Sequence, residues 1–124
     1  MIELQKFIVS ELKKIHPRVY QEWAPEDAVF PYVVYRFPTS NPNERREDFI
    51  LEIDIWDQPP DGSTVTLQQL ADQIDSSLNG VRYTSEDWNT RIDRINRLMI
   101  PDPDETIRRR QLRYELRTFE AGGM

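Results

Sequence analysis

Apolar side chains recur at helical spacing in two stretches of the chain, and each stretch predicts an amphipathic helix. In residues 2–15 the apolar positions lie three or four residues apart and form a single stripe. A second stripe follows the turn cluster QPPDGS and ends at Asn79-Gly80, a pair with C-cap chemistry. Thr66 and Gln69 match a capping box at the start of this second helix. The chain is therefore expected to contain one helix at its N-terminus and one near its middle.

Strands are predicted over most of the remaining chain. The clearest is residues 48–57, where Phe49, Leu51, Ile53 and Ile55 alternate with polar residues. The other predicted strands are residues 18–23, 32–37, 81–84, 91–100 and 107–119. Residues 91–100 fit a helix face as well as a strand, and the turn and strand that follow favour a β-hairpin.

These elements predict an α+β fold in the order α-β-β-β-α-(β)-β-β, with a mixed or antiparallel sheet packed by two helices. A length of 124 residues predicts a single domain over residues 1–124, with residues 120–124 as a frayed tail. Residues 39–48 are polar and turn-rich, which predicts a long loop. Such a loop on a compact domain is often a contact surface.

Composition excludes several classes of function. The chain has no cysteine, which excludes disulfides and thiolate metal sites, and a single histidine makes a zinc site improbable. A net charge of −6 disfavours general nucleic-acid binding. The N-terminal stretch lacks the uninterrupted apolar run of a signal peptide, and no segment has the length of a membrane-spanning helix. None of the four glycines belongs to a phosphate-binding loop, so no cofactor is expected.

Catalytic groups are sparse. His16 follows the first helix with no nucleophile motif nearby, and its position predicts a solvated helix-end cation. Glu52 and Asp54 share one strand face, which would suit a hydrolase or nuclease that uses paired carboxylates. Charged strand faces more commonly meet solvent or another subunit. The expectation is therefore a protein that is not an enzyme.

Arginine is concentrated in the last third of the chain. Arginine forms bidentate pairs with carboxylates and is enriched at protein interfaces, so these residues fit either a contact surface or a strand face laced with ion pairs. Direct contact with DNA is a third and weaker interpretation. The candidate interaction residues are Arg45, Arg46, Arg108, Arg109, Arg110, Arg113 and Arg117.

Several phrases of the sequence resemble one family. They are the helix IELQKFIVSELKKI, the strand phrase FPYVVYRF, the alternating strand DFILEIDIWD, the helix LQQLADQIDSSLNG and the arginine-rich C-terminal hairpin. In this order they resemble the tail-completion (tail-terminator, or tail-to-head joining) proteins of long-tailed bacteriophages and prophages. The similarity extends over nearly the whole chain.

The resemblance implies a non-enzymatic assembly protein that forms a hexameric ring with itself at the head-proximal end of the tail. Its partners would be the tail tube protein and the head connector protein. It implies no membrane contact, and contact with DNA only as DNA passes through the ring. The protein would lie in the virion, and in the host cytoplasm during assembly. The alternative from the residues alone is a bacterial cytosolic adaptor domain unrelated to phage.

Overall fold

Two helices and six strands make up the fold. The computed structural model describes residues 2–43 and 46–120. The helices are α1, Ile2–Ile15, and α2, Val65–Leu78. The strands are β1 Val19–Gln21, β2 Tyr32–Asn43, β3 Arg46–Asp57, β4 Arg82–Thr84, β5 Trp88–Met99 and β6 Arg108–Glu120. This is the order that the sequence predicts.

All six strands form one sheet, in the order β1-β2-β3-β6-β5-β4. Strand β1 runs parallel to β2, and the other neighbours are antiparallel. The sheet is therefore mixed. Strands β3 and β6 lie at its centre, and the short strands β1 and β4 form its two edges.

One face of this sheet carries both helices and the core. Every second residue of the central strands is buried there, among them Ile53 and Leu112, and the stripes of α1 and α2 pack on them. Burying an aliphatic side chain of this size contributes roughly 1.5–3 kcal/mol. No described helix covers the opposite face. Neither helix is long and apolar enough, within the residues described, to cross a membrane.

A hydrogen bond ties the sheet to α2 inside the core. Tyr114 of β6 is fully buried and donates from its hydroxyl to Asp75 Oδ1 of α2 at 2.8 Å. Burial, and then the bond to Asp75, raise the pKa of the Tyr114 hydroxyl. We expect Tyr114→Phe to lower the free energy of unfolding by about 1 kcal/mol, because Asp75 keeps its ion pair with Arg94 at 2.9 Å. Urea unfolding of both proteins measures this, and an unchanged midpoint would contradict it.

The described residues of the polar segment 39–48 are strand rather than loop. Strand β2 runs to Asn43 and β3 begins at Arg46, and the pairing continues from Thr39 opposite Ile50 to Asn43 opposite Arg46. Strand β6 pairs with β3 along its whole length, so hydrogen bonds on both sides of β3 extend the sheet through a polar sequence. The prediction of a long loop was wrong. Residues 44 and 45 lie outside the described residues.

Helix α2 ends as predicted but begins differently. The Asn79 amide donates to the Asp75 carbonyl, and Gly80 follows with φ +78°. At the other end, the N-cap is Thr64, whose side chain makes no capping hydrogen bond. Thr66 therefore lies inside the helix, and the prediction of a capping box with Gln69 is wrong. The Ser63 hydroxyl instead accepts from the amide of Val65, the first helical residue, at 3.3 Å.

The C-terminal third of the chain forms a hairpin of β5 and β6. The stretch 91–100, which the sequence leaves ambiguous, is strand through Met99 and belongs to β5, which pairs with β6 as the hairpin that the sequence favours. Glu120, expected in a frayed tail, pairs with Trp88 and ends β6. Its pairing with β5 holds this residue in the sheet. Residues 121–124 lie outside the described part of the chain.

Candidate protein-interaction face

The helix-free face of the sheet carries rows of charged side chains. We call this surface the charged face. Because strand residues alternate between faces, the residues between the buried positions of β3 and β6 all project here. Arg36, Glu52 and Arg113 lie directly opposite one another on β2, β3 and β6. This row alternates in sign, which favours the strand pairing.

Asp54 is the buried centre of the charged face. Its side chain is 1% exposed and lies between two guanidinium groups. The Arg109 Nε and Nη2 atoms lie 2.9 and 2.7 Å from Asp54 Oδ1, and Arg36 Nη2 lies 3.1 Å from Oδ2. The Arg109 guanidinium also lies 4.5 Å from the centre of the Trp56 ring. A carboxylate this buried needs these cations to offset its lost hydration.

Glu52 is held in the same way. Arg36 Nε donates to Glu52 Oε1 at 2.9 Å, and Arg113 Nε lies 3.2 Å from Oε2 as an ion pair without hydrogen-bond alignment. The two carboxylates considered for acid–base chemistry are therefore bound to three arginines. The described residues contain no group of three or more His, Asp or Glu side chains that could hold a metal ion.

A second ion cluster lies on β5 and β6. Asp93 Oδ2 accepts from Arg117 at 2.7 Å and from Arg91 at 3.0 Å. The Arg117 hydrogen bond, and then the charge of Arg91, hold the pKa of the Asp93 carboxyl below its ordinary value of 3.8. Glu115 lies 3.5 Å from Arg117 Nε on the same face.

The lowered pKa of Asp93 predicts a pH dependence. A carboxyl whose pKa is lowered by folding stabilises the protein fully above its unfolded pKa, and this contribution is lost as pH falls through the folded pKa. We therefore expect Asp93→Asn to lose less stability than the parent protein as pH falls below 3.8. Urea unfolding at pH steps from about 5 to about 2 measures both slopes. Equal slopes would contradict the expectation.

The five candidate arginines of β6 lie on both sides of the sheet. Arg109, Arg113 and Arg117 lie on the charged face, whereas Arg108 and Arg110 lie on the side that carries α2. The reason is strand alternation, since consecutive residues of β6 project to opposite sides. Which of these arginines contacts a partner stays a prediction.

Arg108 and Arg110 bind neutral groups instead of carboxylates. Arg110 Nε donates to Gln68 Oε1 of α2 at 3.1 Å, and Arg108 Nη1 donates to the carbonyls of Glu105 and Ile107. Burial, followed by the charges of the neighbouring Arg97 and Arg108, lowers the pKa of Arg110.

Arg46 begins β3 and is already engaged within the chain. Its Nε atom lies 2.9 Å from Asp48 Oδ1, and its guanidinium lies 5.6 Å from the Phe119 ring centre. Its predicted neighbour in the contact, Arg45, lies outside the described residues.

The chain matches one known protein family over most of its length. Residues 9–118 match the model of the family described as "Tail completion protein gp17". The chain belongs to the tail completion protein family. The match spans most of the chain and confirms the resemblance to this family. It supports a structural role in phage tail assembly.

A solved structure shares the fold of this tail completion protein. It is a chain of the structure titled "Virion of native gene transfer agent (GTA) particle", with a TM-score of 0.68 and 13% sequence identity. The alignment covers 92% of each chain. At this identity the likeness shows the fold alone. No curated protein sequence matches the chain.

Two features of this tail completion protein were not predicted from the sequence. Trp23 is 83% exposed, in a turn where Glu22 takes a left-handed backbone with φ +65°. Sequence pattern gives no sign of this exposure, since tryptophan is usually largely buried. His16, predicted as solvated, is half-buried and donates from Nε2 to the Pro31 carbonyl at 2.8 Å. The chain path after β1 brings that carbonyl to the end of α1.

Proposed function

We propose that this tail completion protein is a non-enzymatic virion assembly protein that caps the tail tube as a ring and joins the tail to the head connector. The family match over residues 9–118 carries this proposal. The fold shared with a chain of a virion particle supports a location in the virion. The protein occupies the host cytoplasm only during assembly.

The state of the carboxylates supports a role without catalysis. Glu52 and Asp54 each contact two arginines, and Asp54 is almost fully buried. A general base needs an accessible carboxylate within reach of a substrate proton. These two groups instead hold neighbouring strands together.

The sheet edges support assembly with further copies. Strand β1 covers only Val33–Tyr35 of β2, so the outer side of residues 39–43 pairs with no strand among the described residues. Open strand edges favour pairing or cover by another chain. A head-to-tail contact repeated around an axis would cover such edges and close into a ring.

Locating the protein in particles tests this function. An antibody against the protein, visualised with gold in electron micrographs of purified tails, should label one end of each tail. Particles made without the gene are the control and should carry no label. Label spread along the tube, or absent from tails that contain every other component, would contradict the proposal.

A further inference from the structure

A row of three arginines crosses one edge of the charged face. Arg82 of β4 lies directly opposite Arg91 of β5, which lies directly opposite Arg117 of β6. We call these three residues the arginine row. Neighbouring strands are about 4.8 Å apart, and like charges directly opposite each other destabilise a strand pair. The arrangement therefore favours an anion that settles over the row.

The carboxylates of the charged face leave part of this row unpaired. Asp93 binds both Arg91 and Arg117. Arg82 is exposed and forms no ion pair with any carboxylate among the described residues. Phe119 joins the three arginines in lining a shallow depression at this edge, so the row borders an aromatic ring. The depression therefore suits a ligand that is acidic and aromatic at once.

The opposite edge of the sheet presents such a ligand. Residues 22–27, which we call the Trp23 turn, directly follow the edge strand β1. Glu22, Glu26 and Asp27 are all exposed, and the segment contains no basic residue. Between these carboxylates projects the 83% exposed Trp23. Exposed tryptophan is the residue type most typical of a binding hot spot, and it also stacks well on arginine.

The Trp23 turn is held in place before any partner binds. The Glu22 amide donates to the Tyr35 carbonyl of β2 at 2.8 Å. The segment that follows the turn is held by Arg18, whose Nε donates to the carbonyls of Val29 and Pro31, each at 3.0 Å. A left-handed backbone at Glu22 is uncommon for a residue with a side chain and persists only where surrounding contacts enforce it. A turn fixed in this way loses little conformational entropy on binding.

These two surfaces cannot meet within one molecule. They lie at opposite edges of a six-stranded sheet, about 24 Å apart at ~4.8 Å per strand spacing. Complementary patches at two different places on one chain produce a head-to-tail contact between copies. We infer that the arginine row of one copy receives the Trp23 turn of the next copy. This contact rests on the ring of the proposed function and names the two surfaces that would form it.

Paired cysteines test the contact in assembled particles. The chain has no cysteine of its own, so Pro25→Cys with Thr84→Cys introduces the only thiols, beside the contact residues rather than in place of them. After mild oxidation of particles that carry this variant, we expect covalent oligomers on a non-reducing gel. The matched control pairs Thr84→Cys with Lys6→Cys, an exposed position on α1, and should remain monomeric. Incorporated protein that gives no cross-link, or equal cross-linking in the control, would overturn the inference.

Charge exchange gives a second test. One variant carries Arg82→Glu with Arg91→Glu, and the other carries Glu26→Arg with Asp27→Arg. In particles made with either variant alone, like charges face each other at every contact. Particle yield should then fall at least about tenfold, the effect of roughly 1.4 kcal/mol per contact. Co-expression should restore the yield, because alternating copies then match at every contact. Circular dichroism of each variant checks that its fold is retained.

The outcomes separate this contact from the function on which it rests. Normal yield from both variants would overturn the inference and leave the proposed function standing. A defect confined to the arginine-row variant, without rescue by the other, would assign the row to an acidic partner or to DNA and would also overturn it. Absence of the wild-type protein from particles would overturn the proposed function itself.

Discussion

Replacing Arg109 with alanine is expected to lower the free energy of unfolding by about 3 kcal/mol, the cost of breaking a buried ion pair. Asp54 is 1% exposed, and Arg109 supplies both nitrogen atoms that contact its Oδ1 atom. The variant leaves this oxygen without its cation in a site that water scarcely reaches. It also removes the guanidinium that covers the Trp56 ring.

Arg113→Ala is the matched control for this prediction. Arg113 lies on the same strand and the same face, yet its partner Glu52 keeps the contact with Arg36 and both groups are more accessible. A partly exposed pair of this kind contributes at most about 1 kcal/mol. Urea unfolding of the two variants beside the parent protein measures the difference. Equal losses would show that the buried Asp54 does not anchor the charged face.

Ile53→Ala is expected to lower the free energy of unfolding by about 3 kcal/mol, because it opens a cavity in the core. Ile53 is fully buried at the centre of β3, between the sheet and the helices. Protein interiors are densely packed, so the neighbouring side chains can close only part of the space.

Ile50→Ala serves as its control. Ile50 lies on the same strand but on the charged face, and it is only half-buried. We expect it to lose no more than about 1 kcal/mol, because less apolar surface leaves the interior. Thermal unfolding of both variants gives the comparison. Similar losses at the two positions would contradict a core confined to the helix-bearing face.

Periodicity predicted the parts of the fold that bury a stripe or a face. The helix over residues 2–15 and the alternation of residues 48–57 both depend on burial, and both lie where the pattern indicates. Strand β5 was ambiguous for a physical reason. Its pairing register shifts between Arg94 and Asn96, so apolar residues before and after the irregularity do not keep one alternation.

Backbone pairing determined what the hydrophobic pattern could not. Residues 39–43 carry no alternating apolar face, yet they form strand because β3 offers partners to them. The exposure of Trp23 has a similar origin, since it depends on a left-handed residue before it and on the absence of any covering element among the described residues. Neither feature is encoded in the spacing of apolar side chains.

The arginines illustrate what sequence can say about a site. Their abundance is consistent with a strand face laced with ion pairs and with a contact surface. Among the described residues, the charged face contains six arginines that form ion pairs: Arg36, Arg46, Arg91, Arg109, Arg113 and Arg117. Their partners come from strands far apart in the chain. For example, Arg109 meets Asp54 only because β6 lies beside β3. Whether an arginine is free for a partner therefore depends on topology.

Complementation of particle assembly tests the central claim most directly. A lysate made without this gene should contain heads and tails that remain separate, and adding the purified protein should convert them into joined particles counted by electron microscopy. The same amount of heat-unfolded protein is the control and should join none. If heads and tails join equally well without the protein, it is not a tail-to-head joining component.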